Sequence, residues 1–218
     1  IIAPMSNTDA AGWIKTQVEG EETQIDLTKV IPFVPPNTPL LIGVAKPVIR
    51  GLATQYGLIL VEMAEIDEIA ILNSIPTAEG AIFVAIENTP ITIHDSHCLV
   101  LGLGRCGTTL VQSLKGLGAH VTVASRSVKD LARAATLSCE SVPLTNLKTK
   151  TDFDLIFNTV PALVLPASYL RLLDSKTVII DIASGAGGTD FLAADQLGIL
   201  AIHALSLPGK VAPKTAAE

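Results

Sequence analysis

Short runs of Val, Ile and Leu alternate with segments of helical period along most of the chain, most regularly after residue 90. Apolar runs at 98–102, 120–125, 140–142, 154–160, 177–182 and 199–203 predict strands. A strand covered on both faces loses the polar half of its alternation and reads as a continuous apolar run. Helical segments are predicted between them at 108–117, 127–136, 166–173 and 190–197. Gly118 and Gly198 follow two of these, where a left-handed C-cap belongs. Strand–helix–strand at this spacing implies right-handed parallel crossovers, hence a Rossmann doubly wound parallel sheet in the order 3-2-1-4-5-6.

The first 90 residues are less regular. Apolar runs at 40–45 and 58–63 flank a helical segment at 47–56, with Pro47 at its first turn and Gly57 past its end. That is one βαβ unit of a smaller, truncated Rossmann-like or flavodoxin-like α/β domain. Residues 7–18 suggest a weak helix, 20–26 a polar loop, and 30–39, with four prolines, an irregular connection. A short helix is predicted at 67–72, then a linking helix at 76–88 that starts near Pro76 with Glu79 in its first turn. The division expected is an α/β domain over 1–90, linking helix included, and a nucleotide-binding domain over 91–218. Ile1-Ile2-Ala3-Pro4 reads as the end of a buried strand and 213–218 as a first helical turn, so both ends look cut from a longer chain.

Composition narrows the function classes. A net charge of −6 without a dense basic run argues against nucleic acid as a partner. Cys98, Cys106 and Cys139 have no metal-ligand spacing, and an odd number of thiols fits a reducing cytoplasm better than a disulfide framework. Cys106 reads as a small packing residue rather than a reactive thiol. No apolar run approaches the ~18 residues of a membrane span, and no signal peptide is visible.

The chemistry concentrates at Gly102-Leu103-Gly104-Arg105-Cys106-Gly107. A G-x-G-x-x-G spacing between a strand and a helix has a physical meaning. The first glycine makes the tight turn, the second lets a pyrophosphate approach the backbone, and the third lets helix and strand pack closely. The helix N-terminus favours the negative charge. Where NAD sites carry an acidic residue at the end of the second strand, this chain has Ser125-Arg126-Ser127. Two hydroxyl donors and a guanidinium suit a ribose 2′-phosphate, so NADP is the expected cofactor, with NAD as the other candidate. The bland alternative makes Arg126 a solvated helix-start residue. Ligands bind outside the carboxyl ends of such strands, which adds Thr159, Val160, Pro161 and Ser184 to the cofactor set. Thr189-Asp190 reads better as a helix N-cap than as a ligand contact. No metal constellation is present in the sequence.

Five stretches carry a resemblance: Asn73-Ser74-Ile75-Pro76-Thr77-Ala78-Glu79-Gly80, the run 100–107, Asn158-Thr159-Val160-Pro161, Gly187-Gly188-Thr189-Asp190-Phe191, and 207–216. Together they are similar to the dipicolinate synthase A-subunit family, most densely from about residue 70 onward. The resemblance implies a cytoplasmic oxidoreductase of the sporulating mother cell. It would make dipicolinic acid by NADP-linked oxidation of a dihydrodipicolinate, a CH–CH donor. The partner it implies is a flavoprotein-like B subunit, the B component of dipicolinate synthase; a homo-oligomer is compatible with it. Family members begin earlier and end in a longer helix.

Such a reaction needs a proton acceptor and anchors for two carboxylates. Asn73, Ser74, Pro76 and Thr77, at the start of the linking helix, are the expected substrate contacts, and Lys214 the second anchor. Glu79 and His203 are the candidate bases, Glu79 competing with a plain role as helix-dipole partner. Another two-domain NADP-dependent dehydrogenase, or a scaffold protein that binds NADP without chemistry, would share the fingerprint.

Overall fold

A computed structural model describes residues 1–3, 8–18 and 21–217, and its contacts divide the chain into two compact units, Ile1–Leu72 and Asn73–Glu218.

The first unit opens with a hairpin, β1 (Trp13–Val18) antiparallel to β2 (Glu21–Asp26). A helix at 7–18 and a loop at 20–26 were the expectation, and both are corrected; Asn7 and Gly20 lie outside the described residues. The reason is local. Gly12 takes φ +90° in a turn whose N–H groups at Ala11 and Trp13 bond the Asp9 carboxylate, and Ile14 is buried. A turn of α1 (Leu27–Val30) follows, capped by Asp26, whose carboxylate accepts from Thr28 N at 3.0 Å. Then β3 (Pro39–Ile42), α2 (Pro47–Gln55) and β4 (Ile59–Glu62) form the parallel βαβ unit that the sequence predicts. Ile2 bridges to Leu41 beside β3, as expected of a strand end, although Ile1 and Ile2 are exposed and only Ala3 is buried; Pro4 is outside the described residues.

The helix α3 (Asp67–Glu87) runs through Pro76 without a break. Two helices, one starting near Pro76, were expected. A helix-interior proline costs about 3 kcal/mol through a lost N–H bond and a clash. Here the burial of Ala78, Ala81, Ile82 and Ala85 in the second unit's core offsets it. The same packing places residues 73–87 with the second unit, not with the first 90 residues. Fused in this way, α3 contains an 18-residue window of mean hydropathy 1.7, so by length and composition alone it is long and apolar enough to cross a membrane, although polar residues interrupt the apolar run. Its buried Ala78, Ala81, Ile82 and Ala85 nonetheless belong to the core just described.

The second unit is the nucleotide-binding sheet. Its elements are β5 (His97–Leu101), α4 (Arg105–Gly116), β6 (His120–Ser125), α5 (Val128–Thr136), β7 (Glu140–Pro143) and β8 (Leu155–Asn158). They continue as α6 (Ala167–Leu170), β9 (Val178–Asp181), α7 (Phe191–Gln196), β10 (Ala201–His203), α8 (Leu207–Val211) and α9 (Pro213–Ala217). All six strands are parallel in the order β10-β9-β8-β5-β6-β7, which is 3-2-1-4-5-6 counted from β5. Alternate residues serve opposite faces. Cys98 and Val100 meet α3 and α4 in one core, while Leu99 and Leu101 meet Tyr169, Leu170 and Ala194 in the other. Glu218, the end of the predicted last turn, lies outside the described residues.

Candidate functional site

Gly102 and Gly107 do the steric work that their spacing predicts. Gly102 follows β5 at φ +87°, and its N–H bonds Ala124 O at 2.8 Å, so the turn starts locked to β6. A Cβ on Gly107 would stand 2.2 Å from Gly102 O, so α4 closes on the strand only because that position is bare. Gly104 caps α4 in an extended conformation, and a Cβ there would meet nothing within 4 Å. Its bareness serves no contact inside the protein. It leaves an open approach to a helix end whose first N–H groups have no partner within the helix. Such a helix end has the donors to hold a pyrophosphate.

Leu103 is 1% exposed and belongs to the core, so only its backbone faces the turn. Arg105 is exposed at the start of α4. Burial pushes the Cys106 thiol up, against the pull of the Arg105 charge, as befits a packing residue.

At the end of β6 one expectation changes. The Ser125 hydroxyl is buried and donates its only proton to Asp130 Oδ2 at 2.9 Å while accepting from Ser127 N. It has no proton left for a ribose phosphate. Ser127 is the N-cap of α5, its Oγ accepting from Asp130 N, and Arg126 is exposed beside it. Asp130 is the residue missed here. The Ser-x-x-Asp pattern of a capping box, Ser127 to Asp130, was the available signal.

Two further residues stand outside the expected site set, Asn158 having been read only as part of a motif. Asn158 and Asp181 end the apolar strands β8 and β9, are partners in register, and are both fully buried. The Asn158 side chain accepts from Val160 N and donates to Val160 O. The Asp181 carboxylate accepts from Ala183 N, Gly188 N and the Thr189 hydroxyl. Gly188 O in turn accepts from Val164 N and Leu165 N. The loops after β8 and β9 are thereby tied into one body at the carboxyl edge. Thr159 donates to Leu101 O at 2.8 Å and adjoins Gly102, and Val160 does too. Pro161 and Ser184 are exposed on these loops. A polar residue closing two neighbouring apolar runs was the sequence signal.

His203 ends β10 half-buried, with Nε2 3.1 Å from Ala183 O and its ring 5.2 Å from that of Phe191. A carbonyl only accepts, so Nε2 is the donor in this contact. Asp190 caps α7 through Ala193 N, the plainer of its two readings.

The substrate-side stretch is corrected in its geometry. Because α3 starts at Asp67, the backbone near Pro76 is helix interior and offers no free N–H groups, and Glu79 sits mid-helix and exposed rather than in a first turn. Ser74 is fully buried with its hydroxyl 2.5 Å from Thr109 Oγ1 on α4. Thr77 donates to Asn73 O, and Pro76 is buried. The structure does bring two predicted stretches together. A Cβ on Gly80 would lie 2.9 Å from Leu207, so α3 and α8 pack at close quarters, with Lys214 exposed on α9 just beyond. Among the described residues no group of three His, Cys, Asp or Glu side chains is placed to hold a metal. A cavity of about 560 Å³ opens at the opposite, amino-terminal edge of the sheet, lined by His97, His120, Lys115, Glu140 and Lys150. Cofactors of this fold bind at the carboxyl edge, so that cavity is a separate feature.

Residues 79–187 match the family model of the D-isomer specific 2-hydroxyacid dehydrogenase NAD binding domain. Over 219 residues the chain is 40% identical to the A subunit of dipicolinate synthase from Bacillus subtilis (strain 168), covering 100% of this chain and 73% of that protein. The crystal structure of the dipicolinate synthase A subunit from Bacillus halodurans superposes with a TM-score of 0.90 at 38% identity, over 99% of this chain and 74% of that one. The Bacillus subtilis A chain superposes with a TM-score of 0.90 at 40% identity, over 99% and 72%.

Proposed function

The chain belongs to the dipicolinate synthase A-subunit family, with a nucleotide-binding domain of the NAD-linked dehydrogenase type, and from that premise we propose that it oxidises a dihydrodipicolinate to dipicolinate with NADP. The observation that carries the cofactor half of this reading is the open backbone at Gly104 on a turn whose other two glycines are sterically required. The substrate half rests on the relatives' name and on the convergence of α3 and α8.

A bound nicotinamide supplies the acceptor for the hydride that leaves the dihydropyridine ring, and a proton leaves with aromatisation. The chain's own residues have the remaining tasks. The backbone of 102–107, with Arg105 and Cys106 in the first turn of α4, holds the pyrophosphate. Arg126, aided by the Ser127 hydroxyl, holds the 2′-phosphate. Thr159, Val160, Pro161 and Ser184 flank the nicotinamide end from loops that Asn158 and Asp181 keep rigid. Asn73 and Thr77 on α3 and Lys214 on α9 are the substrate-side residues, Lys214 meeting a carboxylate by its charge. His203, whose ring is oriented by the contact of Nε2 with Ala183 O, is the first candidate to take the proton, and Glu79 the second. The relatives are named as one component of a synthase, which supports a second chain, a flavoprotein-like B subunit; the setting is the cytoplasm of a sporulating cell.

The test is to incubate the protein with dihydrodipicolinate and NADP, with and without that second chain. Reduced nicotinamide is followed by absorbance and dipicolinate by mass spectrometry. Equimolar appearance of both products is expected. Nucleotide binding without dipicolinate under either condition would establish the scaffold reading instead.

A further inference from the structure

The end of β6 holds a charge that the linear sequence hides. Residues 125–127 contain no acid, yet the Asp130 carboxylate reaches back from the first turn of α5 to the strand end, where the Ser125 hydroxyl donates to it at 2.9 Å. The arrangement is fixed at both ends. Asp130 N bonds Ser127 Oγ, Ser127 N bonds Ser125 Oγ, and Ser125 is buried at 7% exposure. A half-buried carboxylate therefore stands beside exposed Arg126, with exposed Lys129 adjacent on the same turn.

The end of the second strand is where folds of this kind meet the adenosine ribose. A carboxylate there accepts from a 2′-hydroxyl and repels a 2′-phosphate, whereas a guanidinium does the reverse. This chain presents both signs at once. We propose that Asp130 is a specificity-determining residue of the nucleotide site: it opposes the 2′-phosphate that Arg126 attracts, and so permits NAD to bind alongside NADP. The proposal rests on the dinucleotide reading of the glycine turn given above. Ser125 has a part in it, because its hydroxyl holds the carboxylate at the strand end.

The experiment is calorimetric titration of NAD and NADP into the unmutated protein, Asp130→Asn and Arg126→Ala. The asparagine retains an oxygen to accept from Ser125, so the turn keeps its hydrogen bond; Asp130→Ser serves if that variant does not fold. Loss of one nearby like charge raises the NADP-to-NAD affinity ratio by about tenfold in Asp130→Asn, and Arg126→Ala lowers it. A ratio unchanged within about twofold in both Asp130 variants, with the unmutated protein binding either nucleotide, overturns the proposal alone. Failure of the unmutated protein to bind either nucleotide overturns the dinucleotide reading and the proposal with it.

Discussion

The Asp181 carboxylate accepts the Thr189 hydroxyl at 2.7 Å in full burial, and the same oxygen accepts Gly188 N at 2.8 Å. One side chain at the end of β9 thus holds the far end of the loop that borders the candidate crevice. Asp181→Ala leaves three donors without their acceptor and is expected to cost about 3 kcal/mol or more, while Thr189→Val costs about 1 kcal/mol. Urea unfolding of both variants and of the double variant measures the coupling. Strict additivity would mean that the two groups do not act as a unit.

Pro76 offers a test of α3. Its ring removes one helix hydrogen bond in a segment whose flanking positions are held by the core. Pro76→Ala restores the N–H donor at the expense of a small void, so a net gain of about 1 kcal/mol is expected. A lower melting temperature in the variant would show that ring packing outweighs the restored bond.

In the first unit, the Glu62 carboxyl is held below the usual carboxylate range by Arg50, which donates to both its oxygens, with Ala45 N as a further donor. A carboxyl lowered in the folded state stabilises fully above its unfolded value of about 4.3, and that stabilisation is lost as the pH falls through the folded value. Glu62→Gln is therefore expected to flatten the fall in stability between about pH 5 and pH 3, followed by urea midpoints. An acid limb as steep as that of the unmutated protein would remove Glu62 from the account.

The second unit's sheet was legible because burial on both faces turns each strand into an apolar run, as in Cys98-Leu99-Val100-Leu101. The hairpin was not, since much of β1 and β2 is polar and its period-2 signal rests largely on Ile14. Pro76 misled for a different reason. A local rule for helix starts took precedence over packing that only the folded chain supplies. At the candidate site the glycines declare themselves by spacing. Asp181 and Asp130 carry only faint signals, a polar strand end and a Ser-x-x-Asp pattern, and their partners Gly188 and Ser125 are set by the fold.

The central claim is that the glycine turn cradles a dinucleotide, and Gly104 isolates it. A side chain at Gly104 meets open space, whereas one at Gly107 strikes the backbone of Gly102. Calorimetric titration of NADP into Gly104→Val, with thermal melts of that variant and of Gly107→Ala, separates ligand approach from folding. Gly104→Val is expected to lose at least about tenfold in nucleotide affinity while its stability changes by no more than about 1 kcal/mol. Gly107→Ala is expected to lose about 1–3 kcal/mol of stability. Nucleotide affinity in Gly104→Val equal to that of the unmutated protein would contradict the account.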